Sequence, residues 1–333
     1  MLRELIKPHH TISIIGTAKN AGKTTVLNQI ISEYKQEQIA ITSIGLDGEK
    51  IDNVTNKPKP RIKVYKHTLV ATATDCLKDF SCSYVLYEKT NIKTGLGNIV
   101  IVEATSTGLV LLAGPSTKSD MVKLVHLLQK YNPLNIFIDG ALFRKSLAAT
   151  SLSDGLILST GASYHNDIKT VVKDTKSVVD QFNIKPIKGF DNLLVDYNEN
   201  FIIKKDKKVQ YIGSLWSVNL DELIQKSIHS IHCLNLKGAL TYNLINHIIK
   251  YRYQTEGFTI IVKDATHIIC SIEQYQKLLK LNIEVKVLNE SNLLALTYNP
   301  TSPYGYEFDE QDFYNLLQKN IKCNILNVLK EAE

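Results

Sequence analysis

Little in this chain points to a disulfide or metal scaffold. The five cysteines, at 76, 82, 233, 270 and 323, are scattered, odd in number and free of any Cys-x-x-Cys pair. That argues against both a disulfide framework and a zinc ribbon. His9 and His10 have no cysteine or carboxylate at ligand spacing. No apolar stretch approaches the roughly 20 residues of a membrane-spanning helix, and the opening Met-Leu-Arg-Glu-Leu-Ile-Lys-Pro lacks the form of a secretory signal. The expectation is a soluble, cytoplasmic protein without membrane contact. Charge of one sign is scarce too: a formal +6 is spread along 333 residues. Lys204-Lys205-Asp206-Lys207-Lys208 reads as a solvated turn, so no nucleic-acid partner is expected. What is present is apolar material, 44% of the chain, enough for one large core or two moderate ones.

That material alternates between strand-like and helix-like segments, which predicts an α/β fold with a mostly parallel sheet covered by helices. Strands are expected at Thr11–Ile15, Ile39–Gly45, Asn98–Glu103, within Gly108–Pro115, at Leu134–Asp139 and at Gly155–Ser159. Helices are expected over about 21–35, 119–131 and 166–182. The polar run Leu46–Arg61 is long for a connection in a compact domain, which marks it as functional or mobile. Around 192–215 the pattern becomes paired extended segments, and alternation resumes with Thr259–Asp264, Ile283–Leu288 and Leu293–Thr297. The predicted division is a first α/β domain over 1–187, an extended connector with a hairpin over 188–230, and a smaller α/β domain over 231–333.

Gly16-Thr-Ala-Lys-Asn-Ala-Gly-Lys-Thr-Thr25, directly after the apolar run Thr11–Ile15, makes the domain over 1–187 a nucleotide-binding one in expectation. It is a phosphate-binding loop between a strand and a helix. Gly16, Thr17, Asn20, Ala21, Gly22, Lys23, Thr24 and Thr25 are the expected nucleotide contacts. Gly22 lets the backbone curl around phosphate oxygens, Lys23 supplies charge to the β- and γ-phosphates, and Thr24 offers a hydroxyl to Mg²⁺. The helix that follows adds its positive dipole end. The spacing is longer than usual, with Thr17 where the common form has glycine. Holding Mg²⁺ calls for a carboxylate at the end of a buried strand: Asp139 fits, and Glu103 is its rival. Asp154 precedes its strand and reads as a turn or cap. Arg61 and Arg144 read as phosphate contacts or as plain surface residues. No Asn-Lys-x-Asp guanine-selecting sequence is present, so ATP is favoured over GTP. Asn299–Tyr306, with two prolines at a strand's exit, suits ligand or partner contact, or a simple turn.

The long loop resembles that of dethiobiotin synthetase and its P-loop relatives, which include nitrogenase iron protein and the cell-division ATPases. The resemblance implies a catalytic lysine in the loop that reaches a partner subunit's nucleotide. Lys19 is the matching residue, although it lies four residues before Lys23 instead of five. It also implies an acidic residue after the second strand that meets the attacking water or the Mg²⁺ shell. Here that is Asp47, with Glu49 behind it; the alternative is an Asp-Gly turn. Nucleotide held between two subunits makes a homodimer plausible.

A narrower resemblance uses the same loop together with Ser43–Glu49, Lys57–Arg61, Leu111–Thr117 and Asn299–Tyr306. It is to the P-loop subunit of the reactivase for lysine 5,6-aminomutase. It implies an ATPase, stimulated by partners, that works with a MutS-like ATPase to restore a cobalamin-dependent aminomutase. No Asp-x-His-x-x-Gly cobalamin-ligating sequence occurs in the chain. The competing expectation is a dethiobiotin synthetase-like ligase or small-molecule kinase.

Overall fold

The computed structural model describes residues 2–47, 61–140, 152–188, 195–215, 220–251 and 257–327. Glu49, Lys57 and Arg144 lie outside them, as do the side chains of Leu46 and Asp47. The chain divides into two compact units, Met1–Lys176 with Asn292–Glu333, and Ser177–Ser291.

The first unit opens with a short helix α1 (Leu2–Ile6), then β1 (Thr11–Gly16), α2 (Lys23–Glu33), β2 (Ala40–Ser43), β3 (Gly45–Asp47), β4 (Ile62–Val64) and β5 (Leu69–Ala73). A long hairpin follows, β6 (Tyr84–Thr94) and β7 (Gly97–Ala104), with the short β8 (Gly108–Val110) and β9 (Leu112–Gly114) after it. Helix α3 (Lys118–Gln129), β10 (Ile136–Asp139) and β11 (Gly155–Gly161) follow, and α4 (Ile168–Phe182) begins in the first unit and ends in the second.

The second unit holds β12 (Phe201–Lys204), β13 (Val209–Tyr211), α5 (Leu220–Ser227), β14 (Ile231–Asn235), β15 (Leu240–Thr241), α6 (Tyr242–Lys250), β16 (Thr259–Val262), β17 (Ile268–Ile269), α7 (Ile272–Lys280) and β18 (Glu284–Val287). The chain then returns to the first unit with β19 (Leu293–Asn299), α8 (Glu310–Asn320) and β20 (Ile325–Leu326).

The main sheet has nine strands in the order β20-β19-β11-β1-β10-β2-β5-β7-β6. Every pairing from β20 to β5 is parallel, and the β6–β7 hairpin adds antiparallel strands at one edge. Because strand side chains alternate between faces, Ile41, Val70 and Phe137 join the core under α2. Their neighbours Ala40, Leu69, Ile136 and Ile138 join the opposite core under α3. The two buried faces explain the nearly unbroken apolar runs of β1, β10 and β11.

The structure revises the sequence reading in three places. The Asn98–Glu103 segment is antiparallel to its neighbours, and Gly108–Pro115 contributes two short ribbons, β8 with β4 and β9 with β3. Strand β19, expected in a domain over 231–333, pairs with β11 in the main sheet. Apolar periodicity identifies a strand without naming the sheet that takes it.

The second unit is an α/β body in its own right, with strand order β13-β12-β14-β16-β18. Strands β14, β16 and β18 run parallel, and the β12–β13 hairpin closes one edge. Leu244, Ile245 and Ile248 of α6 and Tyr275 and Leu278 of α7 bury against Leu234, Ile260, Val262 and Val285. Among the described residues no helix is long and apolar enough to cross a membrane.

Candidate functional site

Strand β1 lies between β11 and β10. After β1 the chain moves to β2 on one side; after β10 it crosses to β11 on the other. In open parallel sheets such a reversal leaves a crevice beyond the strands' carboxyl ends, where ligands bind. Gly16 ends β1 at that place, and the turn from Thr17 to Gly22 carries the chain into α2.

The local sequence explains the turn's shape. Asn20 and Gly22 both adopt positive φ, 62° and 99°, a region costly for most L-residues and free for glycine. Gly22 is the N-cap of α2 and makes no side-chain cap, which leaves the first turn's amides open to another acceptor. A Cβ on Gly16 would come within 3.2 Å of the Ala18 carbonyl and of Cγ and Cδ of Lys23. The Lys23 stem therefore folds back across the start of the turn. Lys19, Lys23, Thr24 and Thr25 are all half-buried, whereas Ala21 and Thr17 are buried.

Asp139 ends β10 in register with Ile14, two residues before Gly16, and its side chain is wholly buried. Its carbonyl accepts from Ile44 N at 2.9 Å. That bond places the start of β3 beside the same edge, and β3 then carries the Asp47 backbone opposite Leu112 of β9. Tight packing fixes this corner: a Cβ on Gly114 would overlap the Ser43 carbonyl. Gly16–Thr25, Asp139 and the strand bearing Asp47 are thus gathered at one sheet edge.

Other sequence expectations are placed elsewhere. Glu103 is in register with Leu69, the first residue of β5, at the sheet edge opposite Gly16. There it bonds His67 Nδ1 at 2.7 Å and the Tyr87 hydroxyl, so it is no rival to Asp139. The hydrogen bond from Tyr87 holds its carboxyl below the usual range, against burial and with help from His67. Asp154 accepts from His10 N at 2.9 Å and Thr11 N at 2.8 Å, which ties the start of β11 to that of β1. Arg61 donates to the Asp79 carbonyl at 3.1 Å.

The Asn299–Tyr306 segment, by contrast, borders the turn. A cavity of about 30 Å³ is lined by Ala21, Gly22, Thr25 and Val26 on one side and Thr297, Tyr298 and Asn299 on the other. Ala162 N donates to the Asn299 carbonyl at 2.9 Å, and the Tyr306 hydroxyl donates to the Ala162 carbonyl at 2.7 Å.

Sequence reasoning missed a set of buried hydroxyls around the turn. Thr17 N donates to the Ser159 carbonyl at 2.9 Å, and Thr17 Oγ1 donates to Thr160 Oγ1 at 3.1 Å. Thr160 Oγ1 is 2.7 Å from Thr175 Oγ1, and Ser159 Oγ is 2.9 Å from Thr297 Oγ1. The available signal was Ser159-Thr160, two polar residues closing the apolar run of β11.

Compared with known proteins, the chain matches no family model, no curated protein and no solved structure.

Proposed function

We propose that the chain binds ATP with Mg²⁺ at the Gly16–Thr25 turn and works as an ATPase switch. The observation that carries this reading is the left-handed Gly22 capping α2 where β1 reverses the sheet's winding, with the buried Asp139 closing the adjacent strand. The residues present fit the ligand: Gly22 takes the left-handed conformation that the turn requires, Gly16 leaves room for the Lys23 stem, and the N-cap of α2 supplies no side-chain acceptor to its first amides.

In this reading the backbone of Asn20–Thr25 cradles the phosphates, and the Lys23 ammonium contacts the β- and γ-phosphates. Thr24, Asp139 and Asp47 would hold Mg²⁺, which when bound offsets charge on the phosphate oxygens. Asp47 would also orient the attacking water, and Lys19 would reach the nucleotide of a second copy. ATP is preferred to GTP because no guanine-reading motif accompanies the turn.

The sequence resemblance extends the proposal to a client. Nucleotide exchange would change a surface offered to a MutS-like ATPase and a cobalamin-dependent aminomutase. The ligase or kinase alternative is separated by assay: stimulation of turnover by those two proteins supports the switch, and stimulation by a small acid alone supports the ligase. The nucleotide itself is tested by calorimetry. Wild type should bind Mg-ATP and Lys23→Ala should lose that binding by at least ~100-fold, about 2.7 kcal/mol. Equal affinity in the two proteins would refute the assignment.

A further inference from the structure

Thr17 stands where the shorter form of the turn has glycine, and the structure shows what its side chain does. Only 4% exposed, it is the first of three hydroxyls in a buried chain, Thr17–Thr160–Thr175. Thr160 and Thr175 are 0% and 1% exposed, so water does not compete for any link. The chain starts in the turn, passes through β11 and ends on α4. Each hydroxyl can give only one proton, and linked hydroxyls polarise one another, so the bonds strengthen together and are costly to leave unmade.

We propose that Thr160 is a positioning residue for nucleotide binding. It is not itself one of the expected nucleotide contacts but bonds to one, Thr17. It acts by holding Thr17, and with it the start of the turn, against β11 and α4. The bond from Thr17 N to the Ser159 carbonyl fixes the turn's backbone at the same residue, so Thr17 is pinned from both main chain and side chain. Ordering the turn before the ligand arrives removes that entropic cost from binding. This inference rests on the nucleotide reading above.

The test uses the full chain with Thr160→Val, Thr160→Ser and Thr175→Val. Calorimetry measures Mg-ATP affinity, and hydrogen exchange measures amide protection over residues 15–23 without nucleotide. Thr160→Val should bind at least ~10-fold more weakly, about 1.4 kcal/mol, and exchange faster through the turn. Thr160→Ser, which keeps the hydroxyl, should restore both. Thr175→Val breaks the chain one link further out and should shift both readouts the same way, which keeps the test decisive if Thr160→Val does not fold.

Wild-type affinity in the valine variants would overturn the positioning role and leave the nucleotide reading standing. Weakened binding with unchanged exchange in the turn would overturn it as well. A wild-type protein that binds no Mg-ATP overturns the nucleotide reading itself, and this inference with it.

Discussion

Gly22 and Asp264 show how much single residues decide in this molecule, one through its backbone and the other through its charge. At φ 99°, Gly22 occupies a conformation that would cost an L-residue about 1–2 kcal/mol. That is why the turn is spelled with glycine immediately before Lys23. Asp264, after β16, is completely buried. Its Oδ1 accepts from Thr266 N at 3.0 Å, from the Thr266 hydroxyl and from His267 Nδ1 at 2.9 Å. Burial alone would raise its pKa, but the hydrogen bonds from His267 and Thr266, with the charge on His267, hold it below its ordinary 3.8. A carboxyl with a depressed folded-state pKa stabilises the fold above its unfolded value and loses that contribution as pH falls through the folded one. Stability of the second unit should therefore decline below about pH 4, and Asp264→Asn should flatten that decline. Urea unfolding between pH 3 and pH 7 measures it, and parallel curves for the two proteins would contradict the assignment.

Among elements, a cap is spelled by neighbouring residues and a strand pairing is not. Ser271 and Gln274 form a reciprocal capping box at the start of α7, a Ser-x-x-Gln pattern readable three residues apart. Ser271→Ala should cost the second unit about 1 kcal/mol, seen as a lower urea midpoint with an unchanged slope. The turn Gly16–Thr25 was equally legible, because its residues are contiguous and each has a local conformational reason. The Thr17–Thr160–Thr175 chain was not, because its members lie far apart in sequence and threonine has no signature for burial. Nor was the partner of β19: Leu293–Thr297 reads as a strand in any sheet, and only packing assigns it to β11. The antiparallel β6–β7 edge escaped for another reason. In β6, Tyr84, Val85, Leu86 and Tyr87 are all exposed, so the strand carries no in-and-out alternation over that stretch.

On the scale of the whole molecule, the cysteines report on each unit separately. Cys76 and Cys82 are buried in the first unit and Cys233 in the second. Burial lifts the thiols of Cys76 and Cys82 and pushes that of Cys233 to about 12. The thiolate is the reactive species, so none of the three should be alkylated at neutral pH while its unit stays closed. The second unit encloses the smaller core, and smaller cores are less stable. In rising urea, Cys233 should be labelled before Cys76 and Cys82, as mass spectrometry of labelled peptides would show. One shared midpoint would mean that the two units open as one.

The order in which the chain is made gives the return of β19 and β20 a further cost. On the ribosome β11 emerges early, yet its neighbour arrives only after the entire inserted body has been translated. At ~5–20 residues per second that delay is on the order of ten seconds. Through it, one margin of β11 waits without its mate.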